Sequence, residues 1–220
     1  MSAIHRYTYV YYTLVAGLGL ATCTTKPTSP MNTNIQAADA VVNNIANMQS
    51  AYKGEMTATA KYAAFAKQAD EEGYAKIALL YQAVAAAEGI HAANHKAVIE
   101  DAGAIVAVIV PDYKVKLTKD NLSDDINGEA YEAETMYPNF LKTAQLANNQ
   151  TAYLSLTYAM KTEEKHKAFF EKAFDNLKYG TLNNLPDRYS VCPACGNTYD
   201  KAPNHCDFSL TAKEHFIIFK

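Results

Sequence analysis

One pattern constrains this chain more than any other: a set of acidic, imidazole and aromatic residues occurs twice at nearly constant spacing. Tyr62, Phe65, Ala69, Glu88 and His91 recur 75 positions later as Tyr137, Phe140, Ala144, Glu163 and His166. The pair Gly54-Glu55 recurs as Gly128-Glu129, but at a spacing of 74. Each half therefore holds an early Glu and a later Glu-x-x-His. Residues three apart share a face only on a helix, so the pattern asks for two similar helical hairpins.

The intervening sequence agrees. Between Asn34 and Lys178 the chain is rich in Ala, Glu, Lys, Gln, Met and Leu, which are good helix formers. Four helices are expected near 34–71, 73–101, 121–147 and 149–179. In the first, Ile35, Ala38, Val41, Val42, Ile45 and Met48 follow a three-four spacing. Asp120-Asn121-Leu122-Ser123 offers capping residues for the third. Residues 102–119 are too long for a tight turn and read as a crossover along a bundle. The change of spacing from 74 to 75 places one extra residue between Glu129 and Tyr137, which a π-bulge would absorb. Pro138 would disturb the same helix further.

The Glu-x-x-His pairs, with Glu55 and Glu129 from the other two helices, form the four-helix dinuclear carboxylate pattern. Glu132, three after Glu129, adds a fifth carboxylate. Five carboxylates facing an apolar core would repel one another, because buried charge must be paired or metal-bound. Two cations remove most of that charge. Oxygen donors with one imidazole per metal suit Fe or Mn. Glu163 rather than Glu164 has the spacing to act with His166, and Glu164 reads as solvated. His95 and Glu100 lie off the pattern and read as surface residues or outer neighbours of the ligands.

Composition sets the outer limits. At 220 residues, one domain plus a small appendage fits. Apolar residues at 49% and charged residues at 20% are globular values. Twenty Lys and Arg against 23 Asp and Glu give −3, so nucleic-acid binding has no electrostatic support. Four Cys are too few for a disulfide framework.

The ends carry separate signals. Residues 1–22 have one Arg and a short apolar run ending Leu20-Ala21-Thr22-Cys23. This reads as a lipoprotein-type signal peptide with Cys23 as the lipid anchor, or else as a tail with an incidental Cys. Residues 23–33 read as a tether. Export to the cell envelope, on the periplasmic side or the cell surface, is expected; a cytoplasmic protein is the alternative. Residues 180–190 read as a linker to a small domain at 191–220. There, Cys192-Pro-Ala-Cys195-Gly is a rubredoxin-type or zinc-ribbon knuckle, but its partner is Cys206-Asp-Phe-Ser209. Tyr199, Phe216 and Phe219 are available as its core. So small a domain needs a metal to hold it. Three outcomes stand: Fe on Cys192, Cys195, Cys206 and Ser209; Zn on three thiolates with another ligand such as His205; or no stable metal. A Cys192–Cys195 disulfide is a further option in an exported chain.

On these residues the sequence resembles rubrerythrin over about 34–220. The match lies in GE at 54–55, KYAAFA at 61–66, E-x-x-H at 88–91, GE-x-x-E at 128–132, MYP at 136–138 and E-x-x-H at 163–166. The resemblance implies an all-α ferritin-like four-helix bundle with one long crossover and a C-terminal rubredoxin-like domain. It implies two irons, with Glu88 and Glu163 bridging, Glu55 and Glu129 terminal, and His166 on one metal. His91 and Glu132 would alternate on the other as the redox state changes. Tyr62 and Tyr137 match tyrosines beside the ligands. The implied activity is a peroxidase that reduces hydrogen peroxide to water, supplied with electrons through the tail, across a head-to-tail homodimer, by an unidentified donor or reductase. No nucleotide-binding fingerprint is present for direct use of a nicotinamide. The alternatives are a ferroxidase that oxidises and sequesters ferrous iron, and a lipid-anchored binding module.

Overall fold

The computed structural model describes residues 33–220, so the expected signal peptide at 1–22, the expected anchor at Cys23 and all but the last residue of the expected tether lie outside the described residues. Four rods form the bundle. They are α1 (Thr33–Glu71), α2 (Ala75–Asp101), a third rod made of α3 (Thr118–Tyr131), a π turn (Glu132–Met136) and α4 (Tyr137–Leu146), and α5 (Gln150–Tyr179). A three-stranded antiparallel sheet follows, with β1 (Tyr189–Val191) between β2 (Thr198–Tyr199) and β3 (Ile217–Phe219). This is the expected ferritin-like bundle with one crossover and a small C-terminal domain.

The repeat governs the turns as well as the ligands. Gly73, at φ +85°, ends the first helix; its N–H reaches Asp70 O, and Tyr74 N–H reaches Ala69 O. Asn148, at φ +52°, ends the third rod with the same two bonds, to Gln145 O and from Asn149 N–H to Ala144 O. Both are left-handed helix stops, a conformation that Gly and Asn tolerate best. Asn149 then caps α5, its side chain accepting from Ala152 N–H at 2.9 Å.

The extra residue sits where the spacing put it. Tyr137 N–H bonds to Glu132 O, five residues back, and the widened turn spans Glu132–Met136. Pro138 falls directly after it, in the first turn of α4, where a missing N–H is tolerated.

The start of the third rod differs from expectation. It begins at Thr118 with no side-chain cap of its own. Asn121 instead turns back to the crossover, accepting from Lys116 N–H and donating to Lys116 O, both at 3.0 Å. The free Thr118 N–H is capped by Glu72 of the α1–α2 turn at 2.9 Å. The crossover is pinned from α1, where Gln49 donates to Ile105 O at 2.7 Å and accepts from Ala107 N–H at 3.2 Å.

Two apolar cores stack along the bundle. One holds Phe65, Leu80, Leu122 and Phe170, the other Met48, Ile99, Leu141 and Leu156. The C-terminal sheet joins the first: Tyr189 and Val191 are part of it and Phe219 packs against it. Phe219 is therefore a bundle contact and not a member of the tail's own core, which is Tyr199 stacked on Phe216 at 5.6 Å together with the cysteines.

Candidate metal centre

All four rods send acidic or imidazole side chains to one point between the two cores. Glu55 comes from α1, Glu88 and His91 from α2, Glu129 from α3, and Glu163 and His166 from α5; all six are at most 2% exposed. Their donor atoms form two groups, each within 4.8 Å: Glu55, Glu88, His91 and Glu163, and Glu88, Glu129, Glu163 and His166. Glu88 and Glu163 belong to both groups, as bridging carboxylates would. Glu129 Oε2, both Glu163 oxygens and His166 Nδ1 are buried with no hydrogen-bond partner. Orphaned acceptors this deep are costly unless something cationic sits between them. The donor set fits a pair of hard divalent metals.

The histidines are oriented from behind. His91 Nε2 lies 3.2 Å from the carbonyl of Cys195, which can only accept, so Nε2 carries the proton. Thr198 donates its hydroxyl to Gly196 O at 3.1 Å and thus accepts from His166 Nε2 at 3.0 Å. In the neutral ring, both Nδ1 lone pairs then face the carboxylates, ready for a metal. Without one, Nδ1 of His166 stands 2.9 Å from Glu163 and 3.1 Å from Glu88. Burial opposes charge on these rings. The carboxylates outweigh it, pushing His166 up to about 9 and raising His91 well above the usual imidazole value. Burial first, and then Glu88 and Glu163, raise Glu55 and Glu129. Glu88 goes the other way: its own burial is overcome by His166 and His91.

The tyrosines cross-link the halves. Tyr62 of the first half donates to Glu129 of the second, and Tyr137 of the second donates to Glu55 of the first. Each fixes the carboxylate that a terminal ligand would use.

Glu132 is placed differently. It is half-buried, outside both donor groups, and lines an open cavity between α1 and the π turn. Burial, then Glu163 and Glu88, push its carboxyl up to about 8. In this arrangement His91 stands in the donor group and Glu132 stands out of it. Glu164 is exposed and paired with Lys161 at 2.8 Å, and Glu100 is exposed.

Of the two readings open for His95, surface residue or outer neighbour of the ligands, the structure agrees with the second. It is fully buried, its Nδ1 2.8 Å from Ser155 Oγ and its Nε2 3.3 Å from Tyr137 OH. Tyr137 gives its proton to Glu55, so His95 Nε2–H donates to Tyr137 and Ser155 donates to Nδ1. Burial, then the charge of His91, lower its pKa to about 3 and keep it neutral. The residue 75 positions on is Phe170, packed 5.4 Å from Tyr62. That break in the repeat was the signal that could have found His95. Thr198 and Ser155 gave none.

In the tail, Cys192, Cys195 and Cys206 are free, buried and close enough to share a metal. Cys195 Sγ and Cys206 Sγ are 3.4 Å apart, and Ser209 Oγ lies 3.2 Å from Cys192 Sγ, at the fourth corner. No disulfide joins Cys192 to Cys195. His205 is exposed, bridged to Ala212 and outside the cysteine group. The knuckle presses on the bundle of its own chain: Asn94 donates to Ala194 O at 3.0 Å and Lys165 to Asn197 Oδ1 at 2.8 Å. The knuckle thus touches the donor set of its own chain. Gly196 makes the contact possible. Its φ is +76°, and a Cβ there would lie 2.4 Å from His91 Nε2 and 3.0 Å from Ala87 O.

Comparison with known proteins gives one answer. The rubrerythrin family pattern matches residues 46–174. Nigerythrin of Nitratidesulfovibrio vulgaris is 35% identical over 79% of this chain and 84% of its own. Rubrerythrin-2 of Clostridium acetobutylicum is 32% identical over 78% of this chain and 94% of its own. A solved structure of fully reduced, all-ferrous nigerythrin superposes with a TM-score of 0.71 at 31% identity, covering 80% of this chain and 86% of that one.

Proposed function

Because the chain belongs to the rubrerythrin family and carries a di-iron centre, we propose that it is a peroxidase that reduces hydrogen peroxide to water in defence against oxidative stress. The observation that carries this reading is Glu132: an additional carboxylate, facing a solvent-connected cavity, outside a donor set already complete without it. A store for ferrous iron has no need of such a group, whereas a centre whose ligands change with redox state does.

When bound, the two irons supply the pair of electrons that peroxide reduction needs. The residues do the rest. Tyr62 and Tyr137 hold Glu129 and Glu55 in place, and the two apolar cores keep bulk water from the shared carboxylates. Glu132, on the cavity side, would be the residue to take the place of His91 when the redox state changes. His91 has a place to withdraw to, since its Nε2 is already bonded to the Cys195 carbonyl. Cys192, Cys195 and Cys206, with Ser209 beside Cys192, would hold the tail's metal, which would supply returning electrons at this contact. The physiological assembly is a homodimer served by a separate electron donor.

Stopped-flow oxidation of the reduced, iron-loaded protein tests this. Peroxide should react faster than oxygen, and Glu132→Ala should slow the peroxide reaction by roughly tenfold or more while leaving most of the iron bound. A faster reaction with oxygen, or equal losses of rate and iron, would favour the ferroxidase.

A further inference from the structure

The cavity beside Glu132 has a built entrance. It measures about 440 Å³ and is lined by Lys53, Gly54, Lys61, Tyr62, Gly128 and Glu132, among others. The two glycines leave it open: a Cβ on Gly128 would meet no atom within 4 Å, and one on Gly54 would meet only Glu132 Oε1, at 3.8 Å. Lys61 is not a loose surface charge. Its Nζ lies 2.9 Å from buried Asp125 and 4.3 Å above the ring of Tyr62. The other Asp125 oxygen accepts from Tyr81 OH at 2.8 Å. Burial works against the ammonium, but Asp125, and then Glu129 and Glu132, keep it charged. A fixed cation therefore stands between solvent and a nest of carboxylates, with the more exposed Lys53 as a second.

We propose that this cavity is the entrance for the oxidant, and that Lys61, locked over Tyr62 by Asp125, makes it an entrance for a small uncharged solute and not for ferrous ion. Hydrogen peroxide is neutral at physiological pH and meets no barrier from the lysines. A dication meets repulsion that the carboxylates behind cannot cancel until it has passed. The inference rests on the peroxidase reading for the solute and on the geometry of the mouth for the charge.

The experiment has two arms. In the first, Gly128→Leu fills the cavity from a position with open space. The reduced, iron-loaded variant should keep its iron but react with peroxide about tenfold more slowly or worse; an unchanged rate would overturn the entrance. In the second, ferrous ion is added to the metal-free protein and uptake is timed. Lys61→Gln removes the cation and leaves Asp125 its hydrogen bond from Tyr81, and Lys53→Glu acts on a surface position where folding is not at risk. Each should speed ferrous uptake, by about tenfold for Lys61→Gln at low salt, with the gain shrinking at high salt. Uptake at the parent rate in both variants would overturn the charge selection. A parent protein inert to peroxide would sink the peroxidase reading instead, and the uptake arm would still decide for or against the role of the lysines.

Discussion

At the scale of the residue, the two halves are copies with one telling exchange. Tyr62 has the hydrocarbon ring of Phe170 behind it, while Tyr137 has His95. Removing the hydroxyl of Tyr62 strands only an acceptor on Glu129. Removing that of Tyr137 strands Glu55 and also the buried Nε2–H of His95. An unpaired buried donor costs about 1–3 kcal/mol. Tyr137→Phe should therefore destabilise the metal-free protein by about 1 kcal/mol more than Tyr62→Phe in chemical denaturation. A second change, His95→Leu, should remove that excess, because the pair is coupled. Gly196 makes a steric demand of its own. Gly196→Ala puts a methyl into the His91 ring at a left-handed φ. The knuckle should lift, at a cost of about 2–4 kcal/mol. Faster amide hydrogen exchange across residues 191–199, with helix exchange unchanged in α1 and α4, would report it.

At the scale of the element, the π turn decides where ligands point. Glu129 and Glu132 precede or open it and Tyr137 follows it, so the turn sets the angle between the acidic residues and the tyrosine. Deleting exposed Thr135 would give the third rod the seven-residue Glu-to-Tyr spacing of α1, where regular winding already aims Glu55 and Tyr62 at the centre, so Glu129 and Tyr137 should keep their faces while Glu132, inside the turn, is re-aimed. The variant should stay helical by circular dichroism and keep most of its iron, yet react with peroxide several-fold more slowly; an unchanged peroxide rate would show that the turn is dispensable. This element was legible in the sequence because it changes a spacing, from 74 to 75, and counting detects it. The four rods were legible from helix-forming composition and three-four apolar spacing. What could not be read was whatever one element does for another. Glu72 caps a helix 46 residues away, which moved the start of the third rod from 121 to 118. Phe219 packs on the bundle and not on its own domain, and the proton on His166 is directed by a threonine 32 residues along the chain. Such partners follow from packing alone and leave no local signature.

At the scale of the whole molecule, the centre is a charge balance that the fold alone leaves unsettled. In the metal-free protein His166 titrates at about 9 and Glu132 at about 8, both above their ordinary values, and His91 is raised as well. A raised imidazole stabilises below its unfolded pKa and loses that contribution as pH rises through the folded value. A raised carboxyl binds a proton on folding, so it too loses ground as pH rises. Between about pH 6.5 and 8 both act in one direction, and from about 8 to 9 His166 acts without Glu132: the metal-free protein should become less stable, by about 1.4 kcal/mol per pH unit for each group in its transition. Thermal melts across that range should show the decline, and iron loading should remove it and release protons. The asymmetry noted between Tyr62 and Tyr137 then has a further consequence. A twofold frame would ordinarily offer two interchangeable seats. Here one seat is backed by a neutral imidazole and the other by a benzene ring, and a widened turn interrupts only the third rod. The seats are thus chemically left and right, and a mixture of two different ions should sort between them instead of scattering at random.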